Sequence, residues 1–486
     1  VIAAAVLVIA TVAFLAVVLS NERDVKLVPG AGTGSDHYDP LAFRDDSAAS
    51  FERRAAAGVS HVLYAKSPGG ATASARRTAA WRPEVEAVAA RFRLDPDLLE
   101  AIVFLESAGR PDVVAGHHLE SAAGLTQILA ETAVNLLGMR VDLATSRRLT
   151  RRIEDAAARG NAAAVRRLRA ARRRVDERFD PPKALAGTGR YLALARQRFG
   201  REDLAVVSYH MGIGNLETAL RAYADEQDDP MKEVVDRDEL SYARLFFDST
   251  PLLHTAAYDQ LAKLGDDSAT YLWRVLAARE ILRLDRENPA ELARLESLHS
   301  RKASAEEVLH PPGSTEVFDE PDDIVGARRA RRLVALPPSL ATHFVRVDKR
   351  MGEFALRLGR RRAIYRALRP EALALLAYLG TGVEAISGDA PLIVTSAARD
   401  RAYQRLLTDS NGEATRGYSL HTTGYAFDVL RSYRSRKQAL AFQFWLDRLQ
   451  AMNMIAWARE SNAIHVTVSD EAWRLVPVLL RRRPGA

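Results

Sequence analysis

The sequence predicts a multidomain chain in which a mainly-α unit is followed by an α+β unit, both set behind an apolar N-terminal segment. Three observations predict it. The 486 residues are too many for one ordinary core. Ala, Leu and Arg dominate, and these lead the helix-propensity ranking, whereas Phe, Trp and Tyr together reach only 7%. Towards the C-terminus, PLIVTSA (391–397), GYAFDVL (424–430) and AIHVTVS (463–469) have the character of strands rather than the helical period.

Hydrophobic residues make up 48% and charged residues 27%, a globular balance that excludes disorder as the dominant state. The chain has no cysteine, which excludes disulfides and thiolate metal sites. The net charge of +7 is concentrated: between Arg140 and Arg178 stand 13 Arg against 5 Asp/Glu, a net of +8. Such a run reads either as a solvated helix face or as attraction to an anionic polymer. No nucleic-acid motif accompanies it, so no nucleic-acid partner is expected.

The elements follow in order. Residues 1–20 (VIAAAVLVIATVAFLAVVLS) carry no charge and no polar stripe. As a helix they span roughly 30 Å, the thickness of a bilayer core. They are read as a single-pass transmembrane helix, longer than a signal-peptide core and without an A-x-A-like cleavage site after it. The first residue is Val rather than Met, so further residues are expected upstream. Residues 21–80 are rich in Gly, Ser, Asp and Ala and read as a linker with one short helix near 51–57. From Trp81 to about Leu309 helical periodicity dominates. Asp95-Pro96 gives a helix start for PDLLEAIVFLES (96–107). Residues 310–344 read as a second linker, opened by HPPGSTEVFDEPDDIV, and 345–486 as the α+β unit, with helices at about 345–385.

Glu106 closes an otherwise apolar helical stretch beside Phe104 and Leu105. Partial desolvation there raises a carboxyl pKa, as a general acid requires near neutral pH. Alone, a glutamate at a helix end is most simply a solvated surface residue. Its context is an ordered series: Glu106-Ser107, then Gly124-Leu-Thr-Gln127 with Glu131-Thr-Ala, then Tyr191-Leu192, then Tyr209-His-Met-Gly212. This series resembles the soluble lytic transglycosylase family, related to goose-type lysozyme, over about residues 81–235. The resemblance implies a lysozyme-like domain with Glu106 as the catalytic acid, Gln127 lining the sugar cleft, Tyr209 near the carboxylate, and Ser107 and Gly124 shaping the cleft. It implies peptidoglycan as substrate and no cofactor for this domain. Thr126, Ala130 and His210 depart from the family's Met, Pro and Asn, and about 134–179 reads as an insertion carrying the basic run. Residues 236–309 are left as a helical extension of unassigned role.

The chemistry implied is cleavage between N-acetylmuramic acid and N-acetylglucosamine with one carboxylate used twice. Glu106 protonates the glycosidic oxygen, then accepts the proton of the muramic 6-hydroxyl, leaving a 1,6-anhydro end. An intramolecular nucleophile removes the need for a second carboxylate to activate water. Hydrolysis assisted by Glu120 or Glu131 stays open.

A second constellation follows in Ser419-Leu-His421-Thr-Thr-Gly424-Tyr-Ala426-Phe-Asp428 and in His465 of AIHVTV. Two His and one Asp make a three-ligand set with a position left for water, as catalytic zinc requires. Both ligand segments read as strands. The pattern resembles the zinc D-Ala-D-Ala carboxypeptidase and endopeptidase family over about residues 345–475. The resemblance implies Zn2+ on His421, Asp428 and His465, with Arg399 holding substrate nearby. The family's catalytic Glu, three residues before the last ligand, is replaced by Asn462. Glu460 serves as base if a bulge brings it in; otherwise the unit is a non-catalytic wall-binding or scaffolding module. Together these readings describe a peptidoglycan hydrolase anchored in a bacterial cell membrane, with its domains on the extracytoplasmic side.

Overall fold

The computed structural model describes residues 26–480, apart from 117 and 410–414. The expected transmembrane segment 1–20 lies outside the described residues. Among the described residues, no helix is long and apolar enough to cross a membrane. The chain is mostly helical as far as residue 329, and a five-stranded sheet carries the C-terminal α+β region.

The stretch 48–79, expected as spacer, is helical instead. Helix α1 (Ala48–Val59) is followed by α2 (His61–Lys66) and α3 (Ala71–Ala79). Their small apolar positions Ala55, Ala71 and Ala75 are fully buried, so the Ala-rich composition serves close helix packing rather than flexibility. Helix α4 (Arg82–Phe92) leads to α5 (Pro96–Ser107), which starts where the Asp-Pro signal places it: the Asp95 side chain accepts from Asp97 N at 2.8 Å. Leu99, Ile102, Val103 and Phe104 bury its apolar face. The helix stops at Ala108, whose left-handed backbone (φ 52°) sends its N–H to Phe104 O.

The basic insertion is a helical hairpin, α6 (Leu143–Ala158) and α7 (Ala162–Val175), closed over Ile153, Ala156 and Leu168. Among the arginines of these two helices only Arg172 is buried, bonded to Asp112 at 2.8 Å and lying 3.6 Å over the Phe179 ring. Then come α8 (Pro181–Phe199), α9 (Glu202–Met211) and α10 (Ile213–Ala224). The extension 236–309 contributes α11 (Tyr271–Glu287), packed along α5, then α12 (Pro289–His299) and the short α13 (Glu306–Leu309).

Residues 310–344, expected as linker, bury Phe318, Ile324, Ala327 and Leu333, with a helix over Pro321–Arg329. Helices are expected from 345. Instead β1 (Val345–Val347) and short 3-10 turns come first, because Gly352 (φ 80°) and Gly359 (φ 65°) bound any helix there. The long buried helix is α14 (Pro370–Ser387), packed against α15 (Arg436–Ala451). The sheet adds β2 (Leu392–Ser396), β3 (Ala426–Leu430), β4 (Ile455–Arg459) and β5 (Ala463–Val468), in the order β1-β2-β3-β5-β4, parallel only between β1 and β2. Alternation sends Ile464, Val466 and Val468 into the core and turns His465 and Thr467 to the other face.

The halves share one apolar cluster. Buried Arg448 of α15 donates to Phe246 O and Ser249 O in the helical half, at 2.7 and 2.8 Å. A Cβ on Gly58 of α1 would meet Gln450 O at 1.9 Å, so only glycine permits this approach of α1 to the end of α15.

Candidate functional site

Glu106 lies in the last turn of α5, half-buried. The Tyr271 hydroxyl, from the start of α11, donates to its Oε1 at 2.6 Å. Burial raises the Glu106 pKa to about 7, and it outweighs the Tyr271 hydrogen bond and the Arg274 charge, both of which favour the carboxylate. The group is thus poised to give up a proton and take one back near neutral pH. Burial, and after it the Glu106 charge, pushes the Tyr209 hydroxyl upward, so Tyr209 faces the same carboxylate as a neutral phenol.

The other expected residues build the floor around it. Tyr209 Oη donates to Thr126 O at 2.7 Å and lies 3.1 Å from Thr188 Oγ1, while Tyr191 meets its ring edge-on at 5.3 Å. Gln127 sits in the left-handed region (φ 52°) and its amide donates to Gly124 O (2.8 Å) and Val113 O (3.1 Å). Ser107 is buried and its hydroxyl donates to Val103 O at 3.2 Å. Of the alternative carboxylates, Glu120 is exposed and ion-paired with Arg147, and Glu131 is exposed. Neither shares the enclosure of Glu106.

Residues 84–232 match the family model described as Transglycosylase SLT domain. Glu106, Gln127 and Tyr209 all fall inside the SLT domain. No curated protein matches the chain. Tyr271 falls outside the SLT domain, and sequence reasoning missed it. In the sequence it is one aromatic of an amphipathic helix, and only the packing of α11 on α5 brings it to Glu106. His210, the departure from the family's Asn, stacks on Tyr271 at 5.0 Å, and its Nδ1 lies 2.8 Å from Ser268 Oγ. The substituted position therefore supports the residue that contacts the acid.

The second site lies on the face of the sheet turned away from that core. Asp428 and His465 are direct cross-strand partners on β3 and β5. His421 comes from a 3-10 turn (Leu420–Thr423), not from the expected strand. Thr422 and Thr423 hydroxyls bond back to Ser419 O and Leu420 O, each at 2.6 Å, which closes the turn locally. His421 Nε2 lies 3.1 Å and His465 Nδ1 2.9 Å from Asp428 Oδ1, and the three donor atoms lie within 4.8 Å of one another. Ala397 O, an acceptor only, lies 2.9 Å from His421 Nδ1. That nitrogen therefore carries the proton, and the Nε2 lone pair is left for an ion. These donors fit zinc in type and number.

Burial holds His421 neutral, at a pKa of about 4. Burial also opposes charge on His465, but hydrogen bonds to Asp428 and Glu306 outweigh it and raise its pKa to about 10. For Asp428, burial is likewise outweighed, here by the two histidines, which hold it well below the usual carboxylate range. Arg399, expected to hold substrate, lines the cavity and donates to Ser396 Oγ (2.6 Å), Gln404 Oε1 (3.1 Å) and Asp428 Oδ2 (3.2 Å), the last of which orients the shared carboxylate. Glu460 lines the same cavity, about 400 Å³, as His421, Asp428 and His465. No bulge brings it there: β4 and β5 stay in register through Arg459↔Ile464, and Arg431 clips the following turn by donating to Glu460 O and Ser461 O.

Proposed function

We propose that this chain cuts bacterial peptidoglycan as a lytic transglycosylase. In this reading Glu106 protonates the glycosidic oxygen between N-acetylmuramic acid and N-acetylglucosamine. The resulting carboxylate then takes the proton from the muramic 6-hydroxyl as that oxygen closes on the anomeric carbon, giving a 1,6-anhydro end. The observation that carries the reading is the enclosure of Glu106 as a lone carboxylate with a near-neutral pKa inside the SLT match. Tyr271 stabilises its charged form between the two proton transfers. The test is digestion of purified sacculi with mass analysis of the products: anhydro ends that vanish with Glu106→Gln support it, and reducing ends alone would replace it with hydrolysis by water.

The His421–Asp428–His465 group supports a second activity, zinc-dependent cleavage of stem peptides. Zinc bound by these three residues would polarise a peptide carbonyl as a Lewis acid. In this reading Arg399 holds Asp428 in place, and Glu460, which lines the cavity, handles the proton. Asn462 in the position of the expected Glu favours the alternative of a wall-binding or scaffolding module. Peptide products that disappear with a chelator and with His421→Ala decide for cleavage; unchanged products decide for binding. Residues 1–20 are proposed to tether the chain to the membrane, with both sites facing the wall. Release of the chain into the soluble fraction without detergent would refute the tether.

A further inference from the structure

His465 makes contacts from both ring nitrogens. Nδ1 faces Asp428 and the donor group; Nε2, on the opposite edge of the ring, lies 3.0 Å from Glu306 Oε2. Glu306 belongs to neither half of the ligand motif. It opens α13, at the end of the helical extension, and is buried to 6% exposure. A carboxylate is rarely held at such depth unless its oxygens are matched, and here they are. Lys302 Nζ pairs with Oε1 at 3.0 Å and Thr467 Oγ1 donates to Oε2 at 3.3 Å. The segment is pinned on both sides of Glu306. Lys302 Nζ donates to Tyr418 O (2.9 Å), Tyr418 Oη donates to His310 O (3.0 Å), and His310 Nε2 lies 2.6 Å from Val468 O. The placement of Glu306 thus rests on β5 and the loop before His421.

We infer that Glu306 is a positioning residue for the metal site: it accepts the Nε2 proton of His465, fixes the imidazole plane, and directs the Nδ1 lone pair at the ion. The inference rests on the reading of His421, Asp428 and His465 as metal ligands. His421 already shows the same device, with Ala397 O as the outer acceptor. A carboxylate in that place does more than a carbonyl, since it makes the imidazole a stronger donor and offsets the charge of the ion. Glu306 lines the same cavity as the three donors, but its contact is with the ring edge of His465 that faces away from them, so in this reading it acts through His465. The helical extension therefore contributes to both sites: its α11 supplies Tyr271 to Glu106 and its α13 supplies Glu306 to His465.

The test is titration of the full chain with Co2+, read by its visible absorption, and competition with Zn2+ for affinity. The wild type is expected to bind one equivalent, and His421→Ala none. Glu306→Gln, which keeps an acceptor, should weaken binding roughly tenfold, and Glu306→Ala up to about 100-fold. Equal affinity in wild type and Glu306→Ala, with His421→Ala still silent, overturns the inference and leaves the metal site standing. A wild type that takes up no cobalt overturns both. A readout that needs no variant is the nitrogen-15 spectrum of the zinc-loaded wild type, in which His465 must carry its proton on Nε2; a proton on Nδ1 refutes the assignment whether or not the variants fold.

Discussion

The hydroxyl of Tyr271 donates to Glu106 across 165 residues of chain, from a helix outside the SLT match to a carboxylate inside it. The bond is 2.6 Å long and runs to a group whose burial favours its neutral form. Tyr271 therefore limits how far the acid is pushed up. Tyr271→Phe removes a donor that favours the carboxylate, so the Glu106 pKa moves above about 7. The alkaline limb of glycan cleavage, where the acid loses its proton, moves to higher pH. The plateau rate falls by roughly 10- to 100-fold, the worth of one hydrogen bond to a charged group. The pH profile of anhydro-product release checks both, and a limb that stays in place or moves down removes Tyr271 from this role.

Glu106→Gln is expected to abolish anhydro products while making the chain more stable at alkaline pH. The folded pKa, about 7, lies above the ordinary 4.5. The stability linked to this proton is full below pH 4.5, declines as pH rises, and is gone above 7. A glutamine does not titrate. Between about pH 4.5 and 8 the variant should therefore gain on the wild type by roughly 1–3 kcal/mol, discounted for the half-buried position of the side chain. Urea unfolding at the two pH values measures it; a gap that narrows instead would contradict the raised pKa.

Much of this is legible in the sequence where the signal is local. Asp95-Pro96 marks the start of the Glu106 helix, and alternation in AIHVTV separates the core residues Ile464 and Val466 from His465. What is not legible depends on packing between distant segments. Gly, Ser and Ala between 21 and 80 read as spacer, yet Ala55, Ala71 and Ala75 are the small surfaces on which helices close. Tyr271 and Glu306 carry no motif; each gains meaning only from the residue it faces. His421 reads as part of a strand segment, whereas the hydroxyls of Thr422 and Thr423 close a 3-10 turn around it.

In chelator-treated protein, His465 should link stability to pH with the opposite chemistry. Its folded pKa, about 10, is above the ordinary 6.5 because Asp428 and Glu306 outweigh burial. The stability this provides is full below pH 6.5 and is lost as pH rises through 10. Melting temperature should fall over that window in the wild type, and Asp428→Asn should both lower it at neutral pH and flatten the fall. A wild-type profile flat from about pH 7 to 10 would mean that His465 is neutral in the fold.

Gly124 sets the geometry on which the glycan site rests. Its backbone is left-handed (φ 84°), and a Cβ there would meet Arg178 O at 1.8 Å. Arg178 cannot yield: it is fully buried, paired with Asp176 at 2.8 Å, and donates to Leu119 O at 2.8 Å and Ser121 O at 3.0 Å. Gly138 is a natural control, also left-handed (φ 60°) but with nothing within 4 Å of an added methyl. Gly138→Ala is expected to cost only the conformational penalty, about 1–2 kcal/mol. Gly124→Ala adds a backbone collision and should cost about 3 kcal/mol or more. It should also remove glycan cleavage, because the same turn carries Thr126 O, which holds Tyr209, and Gln127. Denaturant unfolding of the two variants side by side decides it: equal losses would show that the turn can move away from Arg178, and that the floor of the site is not fixed by this contact.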